Sequence, residues 1–183
     1  LFTSDRPGGC GAQDIYIAYR RGRDDSNNFT EWKEPVNLGC TVNSVGLELS
    51  PSVFEAEDGT VQLYFSSGLR PGGLGFGDLY SSWLQADGTF GAVKQIEAFN
   101  TIFNDIHPTV REPDGLEIIF SSNRPGSIAN TPDLYTSSRA CLLCQWDPAV
   151  NLGPTVNSNG IDVGAKLSSD GTEFYFYSNR PGG

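Results

Sequence analysis

The sequence of 183 residues contains no methionine and one histidine, and its 22 acidic residues outnumber its 12 lysines and arginines. The resulting net charge is −10 at pH 7, and a surface of this sign repels nucleic-acid phosphates and anionic lipid head groups. No apolar run approaches the roughly 20 residues that a membrane-spanning helix needs. We therefore expect neither a nucleic-acid partner nor membrane insertion.

Cysteine is also scarce, which limits metal and redox chemistry. The even number of cysteines allows two disulfides without fixing how they pair, and the four residues are Cys10, Cys40, Cys141 and Cys144. The last two form a C-x-x-C, but neither a second C-x-x-C nor a histidine pair accompanies it, as a zinc site would need. The pattern favours a structural loop or a local disulfide.

Helical periodicity is absent, whereas glycine and proline are abundant, with 22 and 11 residues. They cluster at regular intervals between short aromatic and β-branched runs, which is typical of turns between β-strands. The composition therefore indicates an all-β protein rather than a helical or a disordered one.

Several phrases recur along the chain. A phrase that begins with Phe and ends in Arg-Pro-Gly occurs four times, with its arginine at Arg6, Arg70, Arg124 and Arg180. An Asp-Ile-Tyr or Asp-Leu-Tyr phrase follows three of them, at Asp14, Asp78 and Asp133. An Asp-Gly turn precedes three of them, at Asp58, Asp114 and Asp170. Four short strand signals fall within each period of about 56 residues, so the sequence predicts a β-propeller of four-stranded antiparallel blades.

The predicted propeller segment covers the whole chain, 1–183, as three repeats plus one extra strand. The repeat periods are approximately 1–47, 48–104 and 105–161, with 162–183 beginning a fourth. The first interval between arginines is longer than the others, which indicates a surface loop insertion over residues 20–28. Three blades are too few to close a ring, so we expect a homo-oligomer or a part of a longer propeller.

The order of these phrases resembles the repeat of TolB-type, WD-like β-propellers. The resemblance implies an extracytoplasmic bacterial protein, periplasmic or secreted, whose propeller binds other proteins or components of the cell envelope. It implies no single activity, because a fold does not determine a function.

Residues that recur in every repeat are interpreted as scaffold, and residues that break the repeat are candidate ligand contacts. Glu48, Asp105 and Asp162 are 57 residues apart, and each precedes the predicted innermost strand of its repeat, near the mouth of a central channel. They either cap turns or bind a ligand or a cation such as Ca²⁺, the one candidate cofactor. His107 and Trp83 break the repeat, so each is either a ligand contact or a packed residue.

The sequence thus predicts a non-catalytic interaction module for a protein, carbohydrate or cell-envelope ligand. One alternative is a glycosidase-like, carbohydrate-active propeller that uses the channel-mouth carboxylates, two of which would have to lie about 5–9 Å apart. Another alternative is a structural fragment of a larger propeller protein. Whether the chain is an enzyme stays open, and a glycoside hydrolase is the class expected if it is.

Overall fold

The computed structural model describes residues 1–20, 22, 31–112, 114–168 and 170–182. In these ranges the chain is built of β-strands, with a single 3-10 turn at Ile128–Asn130 and no α-helix. The all-β prediction is therefore confirmed. The predicted loop insertion over residues 20–28 lies almost wholly outside the described residues. Among the described residues, no helix has the length and apolar character that a membrane crossing requires.

Four antiparallel sheets follow one another along the chain. Sheet 1 contains β1 (Phe2–Ser4), β2 (Asp14–Ile17) and β3 (Val36–Asn37). Sheet 2 contains β4 (Leu47–Glu55), β5 (Val61–Gly68), β6 (Asp78–Trp83) and β7 (Lys94–Gln95). Sheet 3 contains β8 (Asp105–Val110), β9 (Glu117–Ser122), β10 (Asp133–Ser138) and β11 (Val150–Asn151). Sheet 4 contains β12 (Asp162–Leu167) and β13 (Phe174–Ser178).

The recurring Asp-Gly phrases form the tight turns that the sequence predicts. Between β4 and β5, the Asp58 carboxylate accepts a hydrogen bond of 2.9 Å from the backbone N–H of Thr60. Gly59 has a φ of 82°, a left-handed conformation that glycine adopts without steric cost. This turn reverses the chain so that β4 and β5 pair in antiparallel register.

The core lies between the sheets. Three consecutive residues of β5, Leu63, Tyr64 and Phe65, are fully buried. Successive side chains of a strand point to opposite faces, so sheet 2 is covered on both faces. Leu63 and Phe65 pack with residues of sheet 1, while Tyr64 packs with Phe120 of sheet 3. The sheets therefore stack face to face, with their apolar side chains interdigitated between them.

Two disulfides fasten the loops. Cys10 pairs with Cys40, which joins the loop after β1 to the loop after β3, and Cys141 pairs with Cys144 in a short loop after β10. The C-x-x-C is therefore a local disulfide. Leu142 inside this loop packs against the cluster that includes Phe54 and Phe120, so the disulfide-bonded loop covers part of that core.

Candidate functional site

A buried carboxylate near the start of the first strand of sheets 2, 3 and 4 pairs with the arginine of the following Arg-Pro-Gly loop. The nitrogen-to-oxygen distances are 3.3, 2.5 and 2.7 Å, for the pairs Glu48–Arg70, Asp105–Arg124 and Asp162–Arg180. All three acidic residues are 0% exposed. These first strands begin earlier than the sequence predicts, so the acids lie inside the strands rather than ahead of them.

The surroundings of Asp105 show what such a carboxylate does. It accepts hydrogen bonds of 2.7 Å from both the backbone N–H and the hydroxyl of Thr101, and one of 2.6 Å from the Ser122 hydroxyl. The guanidinium of Arg124 lies over the rings of Phe120 and Tyr135, 5.0 and 5.1 Å from their centres. Carboxylate, turn and arginine thus form one buried, charge-assisted network within the sheet.

The same network affects protonation in sheet 4. Burial by itself would raise the pKa of Asp162, but hydrogen bonds from Ser178, Arg180 and Ser158 outweigh burial and hold the pKa below its usual value. Asp162 is therefore ionised at neutral pH and is held in place by partners of its own sheet.

The structure does not bring the three acids together. Each one is enclosed with its own arginine, and the described part of the chain contains no group of three or more His, Cys, Asp or Glu side chains that could hold a metal ion. This arrangement favours the turn-capping role of Glu48, Asp105 and Asp162 over the ligand-binding and cation-binding roles that the sequence also allows.

Two residues after each of these acids, the strand is interrupted by a β-bulge. The register with the neighbouring strand shifts at the same place in β4, β8 and β12. The bulged residues Ser50, His107 and Gly164 have φ values of 51°, 56° and 68°. A non-glycine residue in this region costs on the order of 1–3 kcal/mol. A bulge breaks the alternation of buried and exposed side chains along a strand. The alternating pattern in the sequence therefore indicates only the part of each strand that follows the bulge.

The three bulges face one another across a cavity of about 210 Å³, which is lined by Ser50, Pro51, His107, Pro108, Gly164, Ala165 and Lys166. A second cavity of about 240 Å³ adjoins it, lined by Ser52, Val53, Thr109, Val110, Glu112, Lys166, Leu167 and Ser168. Lys166 belongs to both linings. We refer to the two cavities together as the axial channel, because its wall consists of the first strands of sheets 2, 3 and 4.

Two side chains give the axial channel its chemistry. His107 is half-buried, and its Nδ1 is buried with no hydrogen-bond partner in the described structure. Burial, and secondly the nearby charge of Lys166, lower the pKa of His107, so its imidazole is neutral at pH 7. The Lys166 ammonium donates a hydrogen bond of 3.0 Å to the hydroxyl of Thr109. The channel wall around this ammonium lowers the pKa of Lys166 by burial.

Trp83 lies elsewhere. It lines a lateral cavity of about 490 Å³ between sheet 2 and the Cys141–Cys144 loop, together with Asp58, Thr60 and Leu142. The structure therefore separates Trp83 from His107, although both break the repeat.

The axial channel is also lined by three residues that the sequence does not predict for a site, namely Ser52, Thr109 and Lys166. They occupy one equivalent position of three repeats, 57 residues apart, and differ in side chain. Lys166 shares the signal that singles out His107, namely a variable residue at a fixed repeat position. The bulge hides in the sequence which residues of the strand face the channel.

Solved structures resemble this fold. A thermostable family-43 glycoside hydrolase superposes on 90% of the chain with a TM-score of 0.53 and 15% identity. An endo-arabinase from Bacteroides thetaiotaomicron superposes on 99% with a TM-score of 0.59 and 17% identity. The chain has a β-propeller fold. It spans 61% and 65% of the length of these two structures.

No protein-family model matches the sequence, and no curated protein does either. The two solved structures described above are glycoside-cleaving enzymes by name. The prediction of a non-catalytic interaction module is therefore wrong as the leading interpretation. It rested on the resemblance of the repeat, which reports the scaffold shared by many propellers and not the chemistry of the channel.

Proposed function

We propose that this chain is part of a carbohydrate-active propeller of the glycoside hydrolase class and that it binds sugar in the axial channel. The observation that carries the proposal is the convergence of His107, Thr109 and Lys166 with Ser52 on one channel. Neither the scaffold nor the repeat requires these polar side chains. The fold of the two glycoside-cleaving neighbours supports the same class of ligand.

The dimensions of the axial channel suit a small ligand. Its two cavities, of about 210 and 240 Å³, are each smaller than the ~300–1,000 Å³ of pockets for drug-sized molecules. Each fits one sugar residue. Hydroxyl, imidazole and ammonium groups in the wall are suitable partners for sugar hydroxyls, and the proline and valine side chains beside them pack against the ring.

Hydrolysis would require two carboxyl groups that flank the glycosidic bond at about 5–9 Å. Glu112 is the one acidic residue among the described residues that line the axial channel, and we assign it to that pair. The second carboxylate would come from another blade of the ring. Glu48, Asp105 and Asp162 keep a scaffold role, since their oxygens are engaged by arginine, hydroxyl and backbone donors.

The proposal also covers the wider setting of the chain. We propose that its three repeats and extra strand form one arc of a larger ring, which is completed by further blades or by a second copy. Two disulfides support an oxidising, extracytoplasmic location. The kinship with TolB-type repeats stays a prediction.

The test is a panel of arabinan, arabino-oligosaccharides and galacturono-oligosaccharides, with reducing-sugar release and calorimetric binding as readouts. We expect binding by the wild type, and loss of any hydrolysis in Glu112→Gln. Glu55→Gln is the matched control, because Glu55 ends β4 at the equivalent repeat position and does not line the axial channel. Absence of both binding and hydrolysis across the panel would overturn the proposal.

A further inference from the structure

We infer that the sugar bound in the axial channel is acidic, a hexuronic acid residue whose carboxylate pairs with the ammonium of Lys166. The inference rests on the proposed function for the presence of a sugar, and it adds the chemical class of that sugar.

Lys166 has no counter-ion among the described residues. Its described partner is the neutral Thr109 hydroxyl, and no carboxylate of the described residues lies within 4.0 Å of its ammonium. The Lys166 side chain is exposed to the channel, yet the surrounding wall removes part of its hydration and lowers its pKa. A ligand carboxylate would restore the lost interaction.

The fold does not need the positive charge of Lys166. The residues equivalent to Lys166 in the two preceding repeats are Ser52 and Thr109, which are uncharged. The strands that carry them form the same bulge and pair with the same register shift. We therefore infer that the Lys166 ammonium interacts with a ligand inside the axial channel and is not needed to stabilise the sheet.

Two polar residues share the cavity linings with Lys166. Glu112 lines the same cavity, and the described residues show no ion pair between it and Lys166. His107 lines the other cavity that Lys166 borders. A neutral imidazole beside the ammonium provides a further hydrogen bond to a sugar hydroxyl or carboxylate oxygen.

The experiment measures calorimetric binding of trigalacturonate, neutral galactotriose and acetate to the full chain. We expect trigalacturonate to bind at least about tenfold more tightly than galactotriose. Lys166→Gln should remove this preference and Lys166→Arg should retain it. Lys94→Gln is the matched control, because Lys94 is exposed on β7 and its loss changes the net charge equally. Thermal melts of all variants verify that they are folded.

The outcomes separate the inference from the proposed function. Equal affinity for trigalacturonate and galactotriose, or a preference that survives Lys166→Gln, overturns the inference while sugar binding itself still stands. Binding of acetate as tight as that of trigalacturonate also overturns it, because the site would then recognise a carboxylate without a sugar. Failure of every sugar to bind overturns both.

Discussion

The arginine–carboxylate networks and the bulges of the axial channel occupy the same strands, yet the repeats treat them differently. At the networks, side chains and contacts recur, as in the Asp105–Arg124 and Asp162–Arg180 pairs. At the bulges, the backbone recurs with positive φ, but the side chains change to histidine in one repeat and glycine in another. In this propeller the contacts that stabilise each sheet recur in successive repeats, whereas the side chains that face the axis differ from one repeat to the next.

Sheet 1 offers a natural contrast for the networks. Arg6 is the equivalent of Arg124. In sheet 1, however, β1 is an edge strand of the described sheet, and no neighbouring strand supplies a buried carboxylate for Arg6. Arg6 bonds to the Ser4 hydroxyl at 3.0 Å and has no ion pair in the described part of the chain. The same arginine phrase is thus present with and without its buried partner.

The largest effect is expected from Arg124→Ala. It leaves the Asp105 carboxylate buried without its charge partner, and such a loss costs about 3–5 kcal/mol of unfolding free energy. Arg6→Ala should cost within about 0.5 kcal/mol, as an exposed substitution does. Denaturant unfolding of both variants measures the difference. Similar midpoints for the two variants would show that the networks do not stabilise the fold.

A smaller effect is expected at the bulge. His107→Val places a β-branched residue at a φ of 56°, which should cost on the order of 1–3 kcal/mol. His107→Gly reproduces the residue found at the equivalent Gly164 and should be tolerated better than valine. If valine and glycine were equally stable by denaturant unfolding, backbone strain at the bulge would be excluded.

A pH effect follows from the lowered pKa of His107, which burial causes first and Lys166, the charged group facing it, second. Above the unfolded value of about 6.5 the imidazole is neutral in both states and contributes nothing. As the pH falls through that value, the unfolded chain takes up the proton first, so stability decreases until the lower folded pKa is passed.

We expect unfolding free energy measured across this range to fall in the wild type and to stay flatter in His107→Gly. Asp162 has a lowered pKa in the folded protein, so its contribution to stability is lost only when the pH falls below the unfolded pKa of about 3.8. This pH range is separate from that of His107. Identical profiles for wild type and variant would contradict the burial of a neutral His107.

The smallest effect is expected from calcium. Because Asp105 and its two equivalents are paired with arginines and do not converge on one site, added Ca²⁺ should not raise the melting temperature through binding to the native state. A rise that Asp105→Asn abolishes would show that the acids bind a cation after all and would move them from the scaffold to the site.

Much of the scaffold is readable from the sequence. The Asp-Gly pairs predict the hairpin turns, and the periodic aromatic runs predict the strands between them, because both depend on residues close together in the chain. The recurrence of Arg124 and its equivalents identifies them as structural. The sequence does not show that each arginine meets the acid about 20 residues before it, since that contact needs two paired strands.

Which side chains line the axial channel is determined by the tertiary structure. Lys166, Thr109 and Ser52 meet because three sheets stack around one axis, and the bulge at His107 decides which side chains of the strand face that axis. The pairing of Cys10 with Cys40 likewise required two loops to be brought together. Short-range patterns specify turns and buried faces, whereas the composition of a channel depends on which distant strands pack side by side.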